Sequence, residues 1–217
     1  MWTNLRALAL ICFILPITTV IISYIVSVKL DLVPACIPNF EGCTSISRAG
    51  RNVPVKYFFK PIMFLYAFIL FLFWHNLLEK LKSFKIEKKK IFWLAILSVL
   101  FLVLYIAFLG EGKIYVFFRK VGIYIYIFFT VITQFLVSNK LYFLKKKIIK
   151  IYNFKFIKIN YFLTFFLVIS GIILLPVLVI KIDNFPEIKN IISWNYFFLI
   201  QLYFLFFSLS FKKSNVR

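Results

Sequence analysis

Arginine is scarce in this chain and unevenly placed. Of 27 basic residues only five are arginine, and three of those, Arg48, Arg51 and Arg119, fall in two short polar segments. The two most basic stretches, 80–90 and 140–158, hold thirteen basic residues, all lysine. Where a bare positive charge suffices, this sequence uses Lys. A guanidinium adds a planar fork that grips a phosphate or carboxylate through two parallel bonds. Two uses of the three arginines stay open: contact with an anionic headgroup or substrate, or ion pairs with Asp31, Glu41 or Glu111. A headgroup site built on them would draw in Ser45, Ser47, Lys60 and Glu111, which lie in the same two segments or border them.

Cys36 and Cys43 form the second pair with chemical potential. Six residues, IPNFEG, separate them, and Pro38, Asn39 and Gly42 are turn formers that let the ends meet. A disulfide is the leading expectation outside a reducing compartment; two free thiols, or half of a metal site, are the alternatives. Zinc needs four ligands, and the only histidine, His75, belongs near the opposite end of its helix. No metal or cofactor is therefore expected. Cys12 reads as an ordinary small apolar residue. The chain shows no glycine-rich phosphate loop, no Ser/His/Asp set on one face and no paired carboxylates inside an apolar run. A general base would have to be Glu41 or Glu111, because no histidine is near.

The elements that must position these residues follow from composition. The 217 residues are 63% hydrophobic and 21% aromatic, well above the apolar half of an ordinary soluble domain. The apolar residues gather into six charge-free runs of 18 to 22 residues, Ala7–Val28, Pro61–Leu78, Ile91–Gly110, Val121–Asn139, Ile159–Ile180 and Asn190–Phe211. A spanning helix needs about 20 apolar residues, whereas barrel strands are near ten and alternate. The expectation is an all-α integral membrane protein, a single six-transmembrane-helix bundle over 1–217. Its helices fall at about 7–28, 59–79, 91–110, 115–138, 159–181 and 190–211, with a lid loop at 29–58. The first run exceeds the apolar core of a signal peptide and reads as an uncleaved helix.

A net charge of +20 would point to nucleic acid in a soluble protein. Here the basic residues sit between the spans, so no nucleic-acid partner is expected. Alternate connections carry 17 basic residues on one side and 10 on the other, and five of the seven acids lie on the poorer side. The positive-inside rule then places both termini in the cytoplasm and the 29–58 lid outside or in a lumen. Pro16, and Gly171 with Pro176, are expected to bend their helices. The 139–158 stretch interleaves Lys with Ile, Tyr and Phe, as an interfacial helix does. Thr130, Thr133, Gln134, Asn195 and Gln201 read as interhelical hydrogen-bonding groups. Folded down, the lid is expected to meet the 110–120 loop, bringing Arg48 and Arg51 near Glu111 and Arg119.

The lid runs into the second span as SISRAGRNVPVKYFFKPIM. This segment resembles the Frag/DRAM/Sfk-like family of six-helix membrane proteins, which includes the DRAM autophagy modulators and a GPI-anchor lipid-remodelling factor. The match falls on Ile46, Ser47, Gly50 and Pro54, with Ser45, Ala49, Tyr57 and Lys60 resembling the lipid-remodelling branch. A second similar segment runs from FLGEGKIYVFFRKVG to TVITQFLVS. Arg48 stands where DRAM-type members carry an acid. The resemblance implies lipid-related work at the outer or lumenal leaflet.

Residues and resemblance together give a multi-pass membrane protein that binds or senses a phospholipid or glycolipid, or supports its remodelling, with membrane lipids as partners. A membrane-embedded acyl- or headgroup-transfer enzyme is the alternative, and a structural partner of another membrane protein is the third. Coupled transport is disfavoured by the scarcity of ionisable groups inside the spans.

Overall fold

Inside a bilayer every backbone N–H and C=O must find a partner within the protein, which leaves helices or closed barrels. The computed structural model describes residues 2–82, 89–145, 151–179 and 186–212, and the regular secondary structure there is helical apart from one isolated antiparallel bridge between Tyr152 and Phe211. Six helices are long and apolar enough to cross a membrane. They are α1 (Trp2–Lys29), α4 (Lys56–Leu81), α5 (Lys89–Ala107), α6 (Lys113–Phe143), α7 (Phe154–Val179) and α8 (Pro186–Ser210). Two short helices, α2 (Pro38–Glu41) and α3 (Ile46–Arg51), lie in the lid.

Most of these helices overrun the apolar segments seen in the sequence. α6 extends to both sides of 115–138, and α8 begins at Pro186 rather than 190. Helical hydrogen bonding continues past the hydrocarbon, because lysine stems reach to the interface while their charges stay wet. α1 runs unbroken through Pro16 and α7 through Gly171 and Pro176. The lid at 29–58 contains two short helices, α2 and α3. In the stretch expected as an interfacial helix, 139–158, residues 146–150 lie outside the described residues, while its start belongs to the end of α6 and its last residues to the start of α7. Between them, 151–153 pair with 210–212 through Asn153 N–H to Ser210 O (2.6 Å) and Lys212 N–H to Ile151 O (3.2 Å).

The six spans form a closed ring in the order α1, α4, α5, α6, α7, α8 and back to α1, with α6 and α8 also touching across it. Lipid tails are as apolar as Leu, so packing and hydrogen bonds hold such a ring together. At its centre Tyr66 of α4 meets Tyr126 of α6 (hydroxyls 3.3 Å apart) and donates to Gln201 Oε1 of α8 at 3.4 Å. Towards the ends that carry the termini, Phe73 and Trp74 of α4 pack against Tyr203, Phe204 and Phe207 of α8, with ring centroids 5.2–6.2 Å apart. Such aromatic pairs contribute ~0.5–1.5 kcal/mol each beyond area burial. Ser208 Oγ donates to Arg6 O at 3.2 Å, so both ends of the ring's chain lie together and the lid caps the opposite end.

Candidate functional site

The lid is built from local capping and seated by two helices. Glu41 turns back to accept from the Ile37 N–H at 2.8 Å, closing the first turn of α2 around Pro38. The disulfide Cys36–Cys43 joins the two ends of that turn. Ser45 caps α3, its Oγ accepting from Arg48 N–H at 3.2 Å, and lies 3.3 Å from Ser47 Oγ. A serine N-cap is worth ~1 kcal/mol. Ser45 and Ser47 thus bond within the lid.

Tyr24 and Ser27, one turn apart on α1, hold the lid from one side. The Tyr24 hydroxyl donates to Cys36 O at 2.7 Å and accepts from Cys36 N–H at 2.9 Å, and Ser27 Oγ donates to Ala49 O at 2.7 Å. Asn190, Trp194 and Asn195 hold it from α8, donating to Gly42 O (2.7 Å), Thr44 O (2.9 Å) and Asn39 O (2.9 Å). Tyr24 and Trp194 meet edge to face at 5.8 Å, tying the two seats together. Gly42 is left-handed at φ 65°, and a β-carbon there would collide with the Glu187 carbonyl. Only glycine allows both the turn and that approach.

The hydrogen bonds that seat the lid come from α1 and α8. Of the residues expected to gather at the 110–120 loop, Arg51 alone comes close enough for its charge to act on Arg119. Arg48 and Glu111 are exposed, and neither makes an ion pair among the described residues.

The opposite side of the lid end is cationic. Arg119 is only 7% exposed and donates one terminal N–H to Gly110 O at 2.8 Å. Gly122, one turn on, lets α6 approach α5 so closely that a β-carbon would lie 2.8 Å from Tyr105 N, which sets Arg119 beneath the α5–α6 turn. Arg51, at the last turn of α3, is half-buried, and its Nε is fully buried without a hydrogen-bond partner. Lys60 donates to Ala107 O at 2.9 Å, capping the C-terminus of α5, where a cation suits the helix dipole. Lys56 lies one turn before it on α4.

Among the described residues no acid forms an ion pair with any of these cations. Among the described residues the one ion pair is Lys82–Glu79 (2.7 Å), at the other end of the bundle. Asp31, Glu111 and Glu187 are exposed, and Glu41 is engaged at Ile37 N–H. Among the described residues none of Arg48, Arg51 and Arg119 makes an ion pair. Two like charges brought together, one of them buried, are costly unless an anion lies between them. A phosphate or carboxylate can accept from both forks at once.

His75 is exposed and stacks on Phe71 with centroids 6.1 Å apart, well along α4 from Lys60. No group of three or more His, Cys, Asp or Glu side chains that could hold a metal occurs among the described residues.

The residues that seat the lid escaped the sequence reading, although they carried a signal. Tyr24 with Ser27, and Asn190 with Trp194, are spaced three and four apart at the lid-side ends of their helices, so each pair shares one face. Asn195, expected to bridge spans, serves the lid. No family model, curated protein or solved structure matches the chain.

Proposed function

We propose that this multi-pass protein holds the phosphate-bearing headgroup of a membrane lipid at its lid end, in a binding, sensing or remodelling role. One observation carries the proposal: Arg51, whose buried Nε has no hydrogen-bond partner, lies near enough to Arg119 for the two charges to act on each other, and no carboxylate is bonded to either among the described residues. A lipid phosphate supplies the missing charge and suits a site at the membrane boundary, where the spans α4 and α6 begin. Arg48 and Glu111 are outside this grip; Lys60 shapes it by fixing the end of α5. The similarity of Ile46, Ser47, Gly50 and Pro54 to the Frag/DRAM/Sfk-like pattern supports the same lipid-related role.

The lid end faces out of the cytoplasm, with both termini inside. The 17-to-10 distribution of basic residues supports this orientation, and a Cys36–Cys43 disulfide belongs in an oxidising compartment. An impermeant maleimide applied to intact cells or sealed organelles should label Asn52→Cys and leave Asn153→Cys unlabelled. The reverse pattern overturns the orientation.

The deciding experiment is mass spectrometry of lipid retained by the protein purified in mild detergent. A phosphate-bearing lipid should be present in the parent and depleted in Arg51→Lys and Arg119→Lys, because Lys keeps the charge and loses the fork. Retention equal to the parent in both variants would remove the headgroup site. Turnover of the retained lipid by the purified protein would make the chain an enzyme.

A further inference from the structure

The inner face of α6 carries polar side chains at a helical spacing. Tyr126, Thr130, Gln134 and Ser138 recur every four residues, and all are buried. Residues four apart share one face, so this stripe looks into the ring. Its second half meets α7 and α8. Gln134 Nε2 donates to Ile200 O at 3.2 Å, and Asn160 Nδ2 of α7 donates to Tyr203 O, one turn further along α8, at 3.2 Å. Ser138 lies close to the Tyr203 side chain. These contacts gather Gln134, Ser138, Asn160 and Tyr203 where three spans join.

Each of the four is at most 2% exposed. Yet Gln134 Oε1, Ser138 Oγ, Asn160 Oδ1 and the Tyr203 hydroxyl are fully buried with no hydrogen-bond partner among the described residues. Turning the amides over does not mend this, because each would then set its oxygen against the α8 carbonyl to which it now donates. An unmatched buried polar atom bears the full cost of its lost hydration. Such atoms gathered at one junction mark a place where another group completes the bonding.

The chemistry of these atoms says what that group is. The two amide oxygens only accept, whereas the two hydroxyls both donate and accept. A hydrocarbon chain offers them nothing. A cation would suit the oxygens, but α6 and α7 contain no acid, and Glu187 of α8 lies at its lid end. A charge at the junction would be buried with nothing to balance it. Water donates two hydrogen bonds and accepts two, the complement of a pair of amide oxygens and a pair of hydroxyls.

We infer that the junction of α6, α7 and α8 is an internal water site, in which bound water bridges Gln134 Oε1 and Asn160 Oδ1 to the hydroxyls of Ser138 and Tyr203. Water there ties together spans that the Gln134 and Asn160 bonds already hold directly. The site is separate from the arginine cluster and does not depend on it.

The test is X-ray radiolysis of the full-length protein in mild detergent, followed by mass mapping of oxidised residues. Radiolysis makes hydroxyl radicals from water in place, so a buried ring is oxidised where water is bound beside it. Tyr203 should be oxidised several times faster than Phe59 and Phe73, after allowance for ring reactivity; all three are 0% exposed. Phe73 packs against Phe204 and Phe207 in the same aromatic layer, so opening of that layer would oxidise it as well. Equal oxidation of the three rings overturns the site. Gln134→Leu combined with Asn160→Leu removes both acceptors and should bring Tyr203 down to the Phe59 level. Ser138→Val, a milder change, should act in the same direction. Tyr203 oxidation that neither change lowers also overturns the site. Thermal unfolding in sodium, potassium and choline chloride decides the occupant: stabilisation by one cation that Gln134→Leu abolishes overturns water. The readout involves neither Arg51 nor Arg119, so the headgroup reading and this site stand or fall separately.

Discussion

On the α1 and α8 side of the lid, Tyr24, Ser27, Asn190, Trp194 and Asn195 each donate to a lid carbonyl at 2.7–2.9 Å. On the α5 and α6 side, Arg51 keeps a buried Nε without a partner beside Arg119, whose one bond to protein at 2.8 Å goes to a turn carbonyl. Both regions lie at one end of the same bundle and are set by the same lid. On the first side the polar side chains of α1 and α8 are consumed by holding the lid backbone. The other side holds positive charge that no acid matches among the described residues, the feature on which the headgroup proposal rests. Stability and function should therefore separate between the two sides.

The largest effect should come from Gly42→Ala. The left-handed backbone alone costs a non-glycine residue ~1–2 kcal/mol, and the collision with the Glu187 carbonyl adds to it. Thermal stability in detergent should fall, and hydrogen exchange across 36–51 should rise. Unchanged exchange would mean that the lid is not seated on α8 as described.

Next come Trp194→Phe and Tyr24→Phe. Trp194→Phe strands the Thr44 carbonyl, and Tyr24→Phe strands both the N–H and the C=O of Cys36. Each should cost ~1–3 kcal/mol, the penalty of a buried group left unmatched. Denaturant or thermal unfolding measures it, and a negligible loss in both would erase the contrast between the two sides.

Arg51→Gln should behave in the opposite sense. Removing one of two like charges should leave stability equal to or above that of the parent in lipid-free detergent. Retained phospholipid should fall by about tenfold or more, since hydrogen bonds to a charged group contribute ~1.5–3 kcal/mol. A stability loss without loss of lipid would make Arg51 a structural residue.

Smaller still is Ser45→Ala, which removes the cap of α3 and should cost ~1 kcal/mol with no change in the lipid retained per folded molecule. The smallest effects belong to Arg48→Lys and Glu111→Gln. Both side chains are exposed and unpaired among the described residues, so stability should stay within about 0.5 kcal/mol and retained lipid should not move. A clear loss of lipid in either would widen the site beyond Arg51 and Arg119.

Six charge-free runs of spanning length settled the helical architecture from sequence, because a bilayer imposes a length and a composition that are local properties of the chain. Residue type likewise singled out Arg48, Arg51 and Arg119 in a chain that otherwise uses Lys. Which of the three meet was decided elsewhere. Arg119 is placed by the close approach of α5 and α6 at Gly122, and Arg51 by a lid anchored on α1 and α8, remote in sequence from both arginines. The sequence reading placed Arg48 and Arg51 near Glu111 and Arg119 by charge, whereas the bonds that seat the lid run to backbone carbonyls that needed donors. Those carbonyls became visible only once α2 and α3 had formed and left them unmatched. Hydrogen-bond demand of that kind arises from tertiary structure, and so does that of the Gln134 and Asn160 amide oxygens, left without a donor among the described residues once three helices are set around them.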